Sequence, residues 1–385
     1  MVRSMTRRQW LRRSSAAALA GVALGPGSVS AFRRKRFQPT PEADPSYAPN
    51  VVSDSAAVRL NYNENPYGPS PAARAAMEAA FDEGCRYPDP VYNALTRQIA
   101  EYEGVDPDQV LLGAGSSEVL AMAGAAYGIE GGEIVAAYPT FLGLTRYAQR
   151  VGAYVHWVAV DESKGHALDE MDRRITNNVG LVYVCNPNNP TGTIVDGDRL
   201  RDFCTNASRR AVVFVDEAYY DLVDPEYQAT MIDLVREGYP IIVSRTFSKV
   251  YGLAGLRIGY GISRPDIVER LRPFSMSSPN ILGLHAASAS LKDHEFRAMS
   301  IAKIREARNF TYSVLDELGL RYVRSQGNFV FFHTGRDIGQ FQADMLSQGV
   351  MVGRPFPPFR DWCRVSMGRT ESMPAFATAL RAIFA

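Results

Sequence analysis

The chain has 385 residues, with 42 Lys and Arg against 41 Asp and Glu, and is 46% hydrophobic, 10% aromatic and 22% charged. That balance describes a globular protein with a large core. It excludes disorder, collagen, coiled coil and a multi-span membrane protein, and it lacks the basic excess with which nucleic-acid binders displace counterions. The four cysteines, Cys85, Cys185, Cys204 and Cys363, form no CxxC pair, so neither a disulfide framework nor a metal site is expected. The length predicts more than one core.

Residues 1–31 carry five Arg (Arg3, Arg7, Arg8, Arg12, Arg13) and no acid, which leaves the remainder at a net charge of −4. An apolar run from Ser15 to Gly25 follows, then Gly-Pro-Gly and the small residues Val29-Ser30-Ala31. A basic segment, a short apolar segment and small residues read as an export signal. The apolar run falls well short of the about 20 residues that a bilayer-spanning helix needs. Thr6-Arg7-Arg8-Gln9-Trp10-Leu11-Arg12 resembles a twin-arginine signal, which implies the twin-arginine export machinery as a partner and a periplasmic location. An uncleaved anchor or a basic amphipathic tail is the alternative. Residues 32–57 are rich in Pro and polar groups, with a basic knot at Arg33 to Arg36. Residues 32–70 therefore read as a linker and N-terminal arm.

From about Arg59 short apolar strands alternate with amphipathic helices. Helices are expected at Ala72–Glu83, Val91–Glu103, Ser117–Tyr127 and Phe141–Val151. Strands are expected at Gly132–Ala137, Tyr154–Val158, Leu181–Cys185, Val212–Asp216, Ile241–Arg245 and Ile258–Ile262. Runs such as Val212-Val213-Phe214-Val215 are apolar throughout, as strands covered on both faces must be. The pattern predicts an α/β fold: a large, mostly parallel-sheet domain over residues 71–279 in three αβα layers. Its binding residues should sit on loops at the carboxyl ends of the strands. Residues 280–385 read as a smaller α+β domain. It holds a long helical stretch, Ile281 to Leu318, broken near Asp293. The strands Arg321–Arg324, Phe329–His333, Val350–Val352 and Cys363–Met367 and the helices Ile338–Gln348 and Met373–Phe384 complete it.

Four polar segments follow buried strands: Asn186-Pro187-Asn188-Asn189-Pro190-Thr191-Gly192, Asp216-Glu217-Ala218-Tyr219, Ser244-Arg245-Thr246-Phe247-Ser248-Lys249 and Gly255-Leu256-Arg257. Taken alone, Asn-Pro-Thr-Gly is a turn, Asp216 a helix cap and Lys249 a surface lysine. Together, from about Asn61 to Arg381, they resemble the fold-type I pyridoxal-phosphate enzymes. The closest resemblance is to the histidinol-phosphate aminotransferase branch of the class I/II aminotransferases.

The resemblance implies pyridoxal 5'-phosphate as cofactor, held by a Schiff base to Lys249. Transamination would run between an L-amino acid, or a histidinol-phosphate-like amine, and a 2-oxo acid. Asp216 would keep the ring nitrogen protonated and the ring electron-poor, and Tyr219 and Asn189 would hydrogen-bond the ring oxygen. Gly115, Ser116 and Ser117 at a helix start, with Thr246, Ser248 and Arg257, would hold the phosphate, and Phe141 would stack on the ring. Without the resemblance, Gly115-Ser116 is a helix cap and Phe141 a core residue.

Substrate contacts are implied for Arg364, which would grip a carboxylate, and for Asn65 within Leu60-Asn61-Tyr62-Asn63-Glu64-Asn65-Pro66-Tyr67-Gly68. Tyr67 would reach the phosphate of a neighbouring subunit, implying a homodimer with shared active sites. Unaided, Arg364 reads as an edge-strand ion pair and Tyr67 as a turn aromatic. One departure stands out. The branch's distal-phosphate Arg is shifted by an inserted Gly353 to Arg354, and a one-residue slip turns a strand side chain over unless a bulge absorbs it. Alternative functions are a decarboxylase or carbon–sulfur lyase on the same cofactor, or a non-catalytic periplasmic binding protein. A nucleotide-binding oxidoreductase would need GxGxxG, and Gly113-Ala114-Gly115-Ser116-Ser117-Glu118 lacks the last Gly.

Overall fold

The computed structural model describes residues 57–385; the expected export signal and most of the linker lie outside the described residues. In chain order the elements are β1 (Val58–Leu60), α1 (Pro71–Ala79), α2 (Asp89–Glu103), β2 (Val110–Gly113), α3 (Ser116–Gly128), β3 (Glu133–Tyr138), α4 (Gly143–Arg150) and β4 (Tyr154–Ala159). Next come α5 (Leu168–Arg173), β5 (Val179–Cys185), α6 (Gly197–Ala207), β6 (Val212–Asp216), α7 (Ile232–Arg236), β7 (Ile241–Thr246), β8 (Gly259–Ile262) and α8 (Pro265–Leu271). The chain ends with α9 (Ile281–Lys292), α10 (His294–Glu317), β9 (Tyr322–Val323), β10 (Phe329–His333), α11 (Ile338–Ser347), β11 (Val350–Val352), β12 (Trp362–Ser366) and α12 (Met373–Phe384).

Seven strands form one sheet in the order β2-β8-β7-β6-β5-β3-β4. Its pairings are parallel except those of β8, which runs antiparallel to both β2 and β7. Side-chain alternation sends Val182, Val184, Val213 and Val215 into one apolar layer and Leu181, Tyr183 and Phe214 into the other. This is why these strands read as unbroken apolar runs. The expected α/β architecture, a mostly parallel sheet between helical layers, is what the chain adopts.

Strands β12, β10 and β9 form a separate antiparallel sheet, and β1 pairs in parallel with β11, Leu60 opposite Val352. The expected break near Asp293 is real: Asp293 accepts a hydrogen bond from Phe296 N at 3.0 Å and so caps α10. Helix α9 packs on the helices before the sheet, with Gln98 Nε2 donating to Ser288 O at 2.9 Å. Several elements went unanticipated. β1 has three residues, too few for a periodicity. α6 buries only Leu200, Phe203, Cys204 and Ala207 within a strongly polar segment.

Where β8 begins, Gly259 lies opposite Thr246 and directly under the turn that opens α3. A Cβ on Gly259 would stand 2.2 Å from Ser116 N and 2.6 Å from Gly115 C. The chain can bring these three segments to one place only because no side chain separates them. Gly259→Ala is expected to lower the urea-unfolding free energy by about 1–3 kcal/mol. Gly84→Ala, where an added methyl meets nothing within 4 Å, is expected to change it by less than about 0.5 kcal/mol.

Candidate active site

The carboxyl ends of β5, β6 and β7 bring together the loops that carry Asn189, Asp216 and Lys249. Asp216, the last residue of β6, is 2% exposed. Ser244 Oγ donates to its Oδ1 at 3.0 Å and Tyr183 OH to its Oδ2 at 3.4 Å. Burial nevertheless outweighs these bonds and a backbone bond from Ala218, and raises its pKa to about 6, because a charged carboxylate loses hydration that its hydrogen bonds do not replace. Beyond it, the Tyr219 oxygen accepts from Asn63 Nδ2 at 3.0 Å and from Asn189 Nδ2 at 3.4 Å, and burial pushes the phenol pKa upward. Lys249 Nζ donates to Asn63 O at 3.1 Å and lies 5.4 Å from the centre of the Tyr219 ring. Burial, then the nearby Arg364 cation, lower its amine to about 8, against the opposing pull of Asp216.

A second cluster forms around the start of α3. Gly115 precedes the helix with φ 78°, so backbone N–H groups without helical partners face outward there. Arg257, itself left-handed at φ 57°, reaches across. Its Nη1 donates to Ser248 Oγ at 3.3 Å and its Nη2 to Ser117 Oγ at 3.5 Å. Ser248 N in turn donates to Thr246 Oγ1 at 3.1 Å. Gly115, Ser116, Ser117, Thr246, Ser248 and Arg257, drawn from three separate segments, thus share one cradle of donors and positive charge, which suits a phosphate. Phe141 follows β3 on the loop leading into α4 and packs on the core layer that contains Tyr183.

Arg364, on β12, is 7% exposed. Its Nη1 donates to Asn189 Oδ1 at 2.8 Å and its Nη2 to Asn61 O at 2.7 Å, while its Nε is buried without a partner. Among the described residues no carboxylate bonds to it, and burial lowers its pKa to about 10, with the Arg354 cation adding to the effect. The edge-strand ion-pair reading of Arg364 is therefore corrected: it is an interior cation. Arg354 lies beyond the end of β11, where strand alternation no longer governs side-chain direction. Its guanidinium sits 4.3 Å from the Phe356 ring centre and that of Arg364 4.8 Å from the same ring. The inserted Gly353 has its own reason: its N donates to Arg364 O at 2.8 Å, and a Cβ there would meet that oxygen at 2.4 Å.

Two polar side chains of the arm are engaged within the chain. Asn65 spends both amide hydrogens on Val250 O (2.7 Å) and Ser300 Oγ (3.1 Å), and its Oδ1 accepts from Tyr67 N (3.1 Å). Its side chain ties the arm down and offers no amide hydrogen to a substrate. Tyr67 OH accepts from Thr370 N at 3.2 Å within the same chain. Asn63, which sequence reasoning passed over, touches both Tyr219 and Lys249. The available signal was the alternation of Asn61, Asn63 and Asn65 in a segment otherwise read as an arm.

The residues present fit pyridoxal phosphate. A buried carboxylate with a raised pKa stands ready for a protonated ring nitrogen, an amine with a lowered pKa for an aldehyde, and the Ser/Thr/Arg cradle for a phosphate. Among the described residues, no group of His, Cys, Asp and Glu has the arrangement to hold a metal ion. Without cofactor, these charges cost stability in defined pH windows. For Lys249 the penalty is full below about pH 8 and fades towards the unfolded value of about 10.4. For Asp216 it is absent below about pH 4 and full above about pH 6. In thermal unfolding of cofactor-free protein, Lys249→Met should therefore raise Tm by several degrees at pH 6 but not near pH 10.5, and Asp216→Asn should raise it at pH 8 but not at pH 4.

The family profile for aminotransferase class I and II matches residues 55–380. The histidinol-phosphate aminotransferase of Moorella thermoacetica is 38% identical over 335 residues, spanning 85% of this chain and 86% of the relative. Histidinol-phosphate aminotransferase 2 of Ralstonia nicotianae is 39% identical over 341 residues, 85% of this chain and 89% of the relative. Among solved structures, histidinol-phosphate aminotransferase from Sinorhizobium meliloti in complex with pyridoxal-5'-phosphate aligns with TM-score 0.78 at 25% identity, covering 86% of this chain and 91% of that one. A structure from Erwinia carotovora atroseptica aligns with TM-score 0.82 at 31% identity, covering 85% and 96%. With the lysine, aspartate and phosphate cradle assembled as described, the chain belongs to the class I and II aminotransferase family and is a pyridoxal-phosphate-dependent transaminase.

Proposed function

We propose that this transaminase exchanges an amino group between an L-amino acid, or a histidinol-phosphate-like amine, and a 2-oxo acid, with Lys249 as the proton carrier and Arg364 as the anion anchor. The observation that carries the reading is Arg364 itself. A buried guanidinium with an unpartnered Nε and, among the described residues, no carboxylate bonded to it is a receptor for an anionic group of the substrate. It shares Asn189 with Tyr219, so the anion would be held next to the reacting centre. The relatives named as histidinol-phosphate aminotransferases favour that amine as the first donor to test.

Pyridoxal phosphate, when bound, supplies an aldehyde and an electron-poor ring that takes up electrons released at the reacting carbon. The protein's part is to bind, orient and move protons. Burial and the Arg364 cation lower the Lys249 amine to about 8, which favours a neutral Nζ that can accept a proton and return it to a neighbouring atom. Asp216 sits at the end of β6 as the fixed anion, held by Ser244 and Tyr183. Arg257, Ser117, Ser248 and Thr246 would anchor the cofactor's phosphate. A substrate anion arriving at Arg364 would exchange for the Asn61 carbonyl or occupy Nε, gaining charge-assisted bonds where neutral ones stood.

Two further parts of the reading rest on sequence. The arginine-rich segment at residues 1–31 supports export through the twin-arginine route to the periplasm, a route that carries folded, cofactor-loaded proteins. Family habit and the Tyr67 motif support a homodimer in which Tyr67 serves the partner's phosphate site.

Incubation of the loaded protein with paired amines and 2-oxo acids, histidinol phosphate first, should yield the exchanged products. Lys249→Ala should lower that turnover by about 1000-fold. Arg364→Gln should lower kcat/KM by about 100-fold or more for carboxylate substrates. Release of carbon dioxide or a thiol in place of amine exchange, or undiminished turnover by Lys249→Ala, would overturn the reading.

A further inference from the structure

We propose that Asn63 is a positioning residue for the transamination reaction: it fixes the direction of the Tyr219 hydroxyl proton and holds the Lys249 amine at the same time. The inference rests on the functional reading above and deepens it. Asn63 is 1% exposed and sits in the left-handed region at φ 55°, a conformation that Asn tolerates better than most residues. That turn sends its side chain and its carbonyl to two different reactive groups. Nδ2 donates to the Tyr219 oxygen at 3.0 Å, and the carbonyl accepts from Lys249 Nζ at 3.1 Å.

The amide cannot swing away. Ser366 Oγ donates to Asn63 Oδ1 at 2.8 Å while accepting from Asn63 N at 2.8 Å, so the orientation with Nδ2 towards Tyr219 is the one that satisfies every partner. The carbonyl is braced as well, since Asn328 Nδ2 donates to it at 2.9 Å. Ser366 lies two residues beyond Arg364 on β12. The strand that carries the anion anchor is therefore tied through one side chain to the phenol and the lysine.

The consequence concerns the Tyr219 proton. A phenol has one O–H and two lone pairs. Asn63 and Asn189 both donate to this oxygen, at 3.0 and 3.4 Å, so both lone pairs are occupied. The hydroxyl hydrogen then points out of the Asn63–Asn189 fork, and Tyr219 acts as a donor there and not as an acceptor. Two donated bonds also draw charge from the oxygen and strengthen its O–H as a donor. With cofactor bound, a stronger Tyr219 donor to its ring oxygen would make the neighbouring Lys249–cofactor linkage lose its proton at lower pH. The charged and titratable groups facing the pair are Asp216, Arg364, Arg257, Glu64 and Cys185, and removal of the Asn63 amide leaves each of them in place.

The test is a pH titration of the visible absorbance of the full-length, cofactor-loaded protein, which reads the Lys249 linkage without turnover. Asn63→Gly keeps the left-handed backbone and the carbonyl but deletes the donor, and the midpoint should rise by about one pH unit. Asn63→Asp keeps size and turn preference but presents an acceptor that pulls the Tyr219 proton away, and the rise should be larger. In the Tyr219→Phe background, Asn63→Gly should add nothing to the shift that Tyr219→Phe itself causes. A lowered Tm with an unmoved midpoint in both Asn63 variants would overturn the proposal, as would a full additive shift in the Tyr219→Phe background. Should Asn63→Gly fail to fold, the Asn63→Asp midpoint decides alone: a rise supports the proposal and no rise overturns it. Wild-type protein that forms no titrating linkage would overturn the functional reading and this inference together.

Discussion

The structure turns on charges buried without full compensation at one end of a parallel sheet. Among the described residues, Arg364 has no carboxylate partner, Lys249 bonds a backbone carbonyl through its amine, and Asp216 is held by hydroxyls and a backbone N–H. Each arrangement costs stability, because desolvation is not repaid by a counter-ion. Each is also what a cofactor and an anionic substrate would repay on binding. The apolar strands below make the cost bearable: Val213, Phe214 and Val215 are fully buried and hold the end of β6 rigid, so Asp216 cannot retreat into water.

A different buried ionic cluster shows the contrast. Arg245, one residue from Ser244, lies between Glu103 and Glu217, with Nη1 3.0 Å from one and Nη2 2.8 Å from the other. Tyr260 OH donates to Glu103 at 2.6 Å and Thr230 Oγ1 to Glu217 at 2.9 Å. Here one guanidinium bridges two carboxylates and every group is bonded, as a structural network requires. Adjacent residues on the same strand, Ser244 and Arg245, thus face opposite regimes. Ser244 supports a carboxylate without an ion-pair partner, and Arg245 supplies the cation for two carboxylates. Strand alternation sorts them.

Most of the fold was legible because its strands and helices have strong periodicities. The run Val212–Asp216, the helix from Ile281 with its break at Asp293 and the strand around Arg364 were all expected close to where they lie. Elements that depend on distant partners were not. β1 exists because Leu60 pairs with Val352, nearly three hundred residues away, and no local pattern announces such a pairing. The roles in the site divide the same way. Lys249, Asp216, Asn189 and Arg257 stand in motifs at strand ends, where position alone directs them to a crevice. Asn63 and Asn65 stand in an arm whose direction only packing settles.

What the sequence by itself determined is therefore the chemistry and its address along the chain: the amine, the carboxylate, the phosphate donors, and the apolar strands that present them. Those follow from side-chain type and from periods of two and 3.6 residues, which are local. Only the tertiary structure decided which of three nearby asparagines holds the phenol, why a glycine precedes Arg354, and that Arg364 is an interior cation and not a surface ion pair. Those outcomes depend on which backbones approach within hydrogen-bonding distance, and that is settled by the packing of segments far apart in the chain.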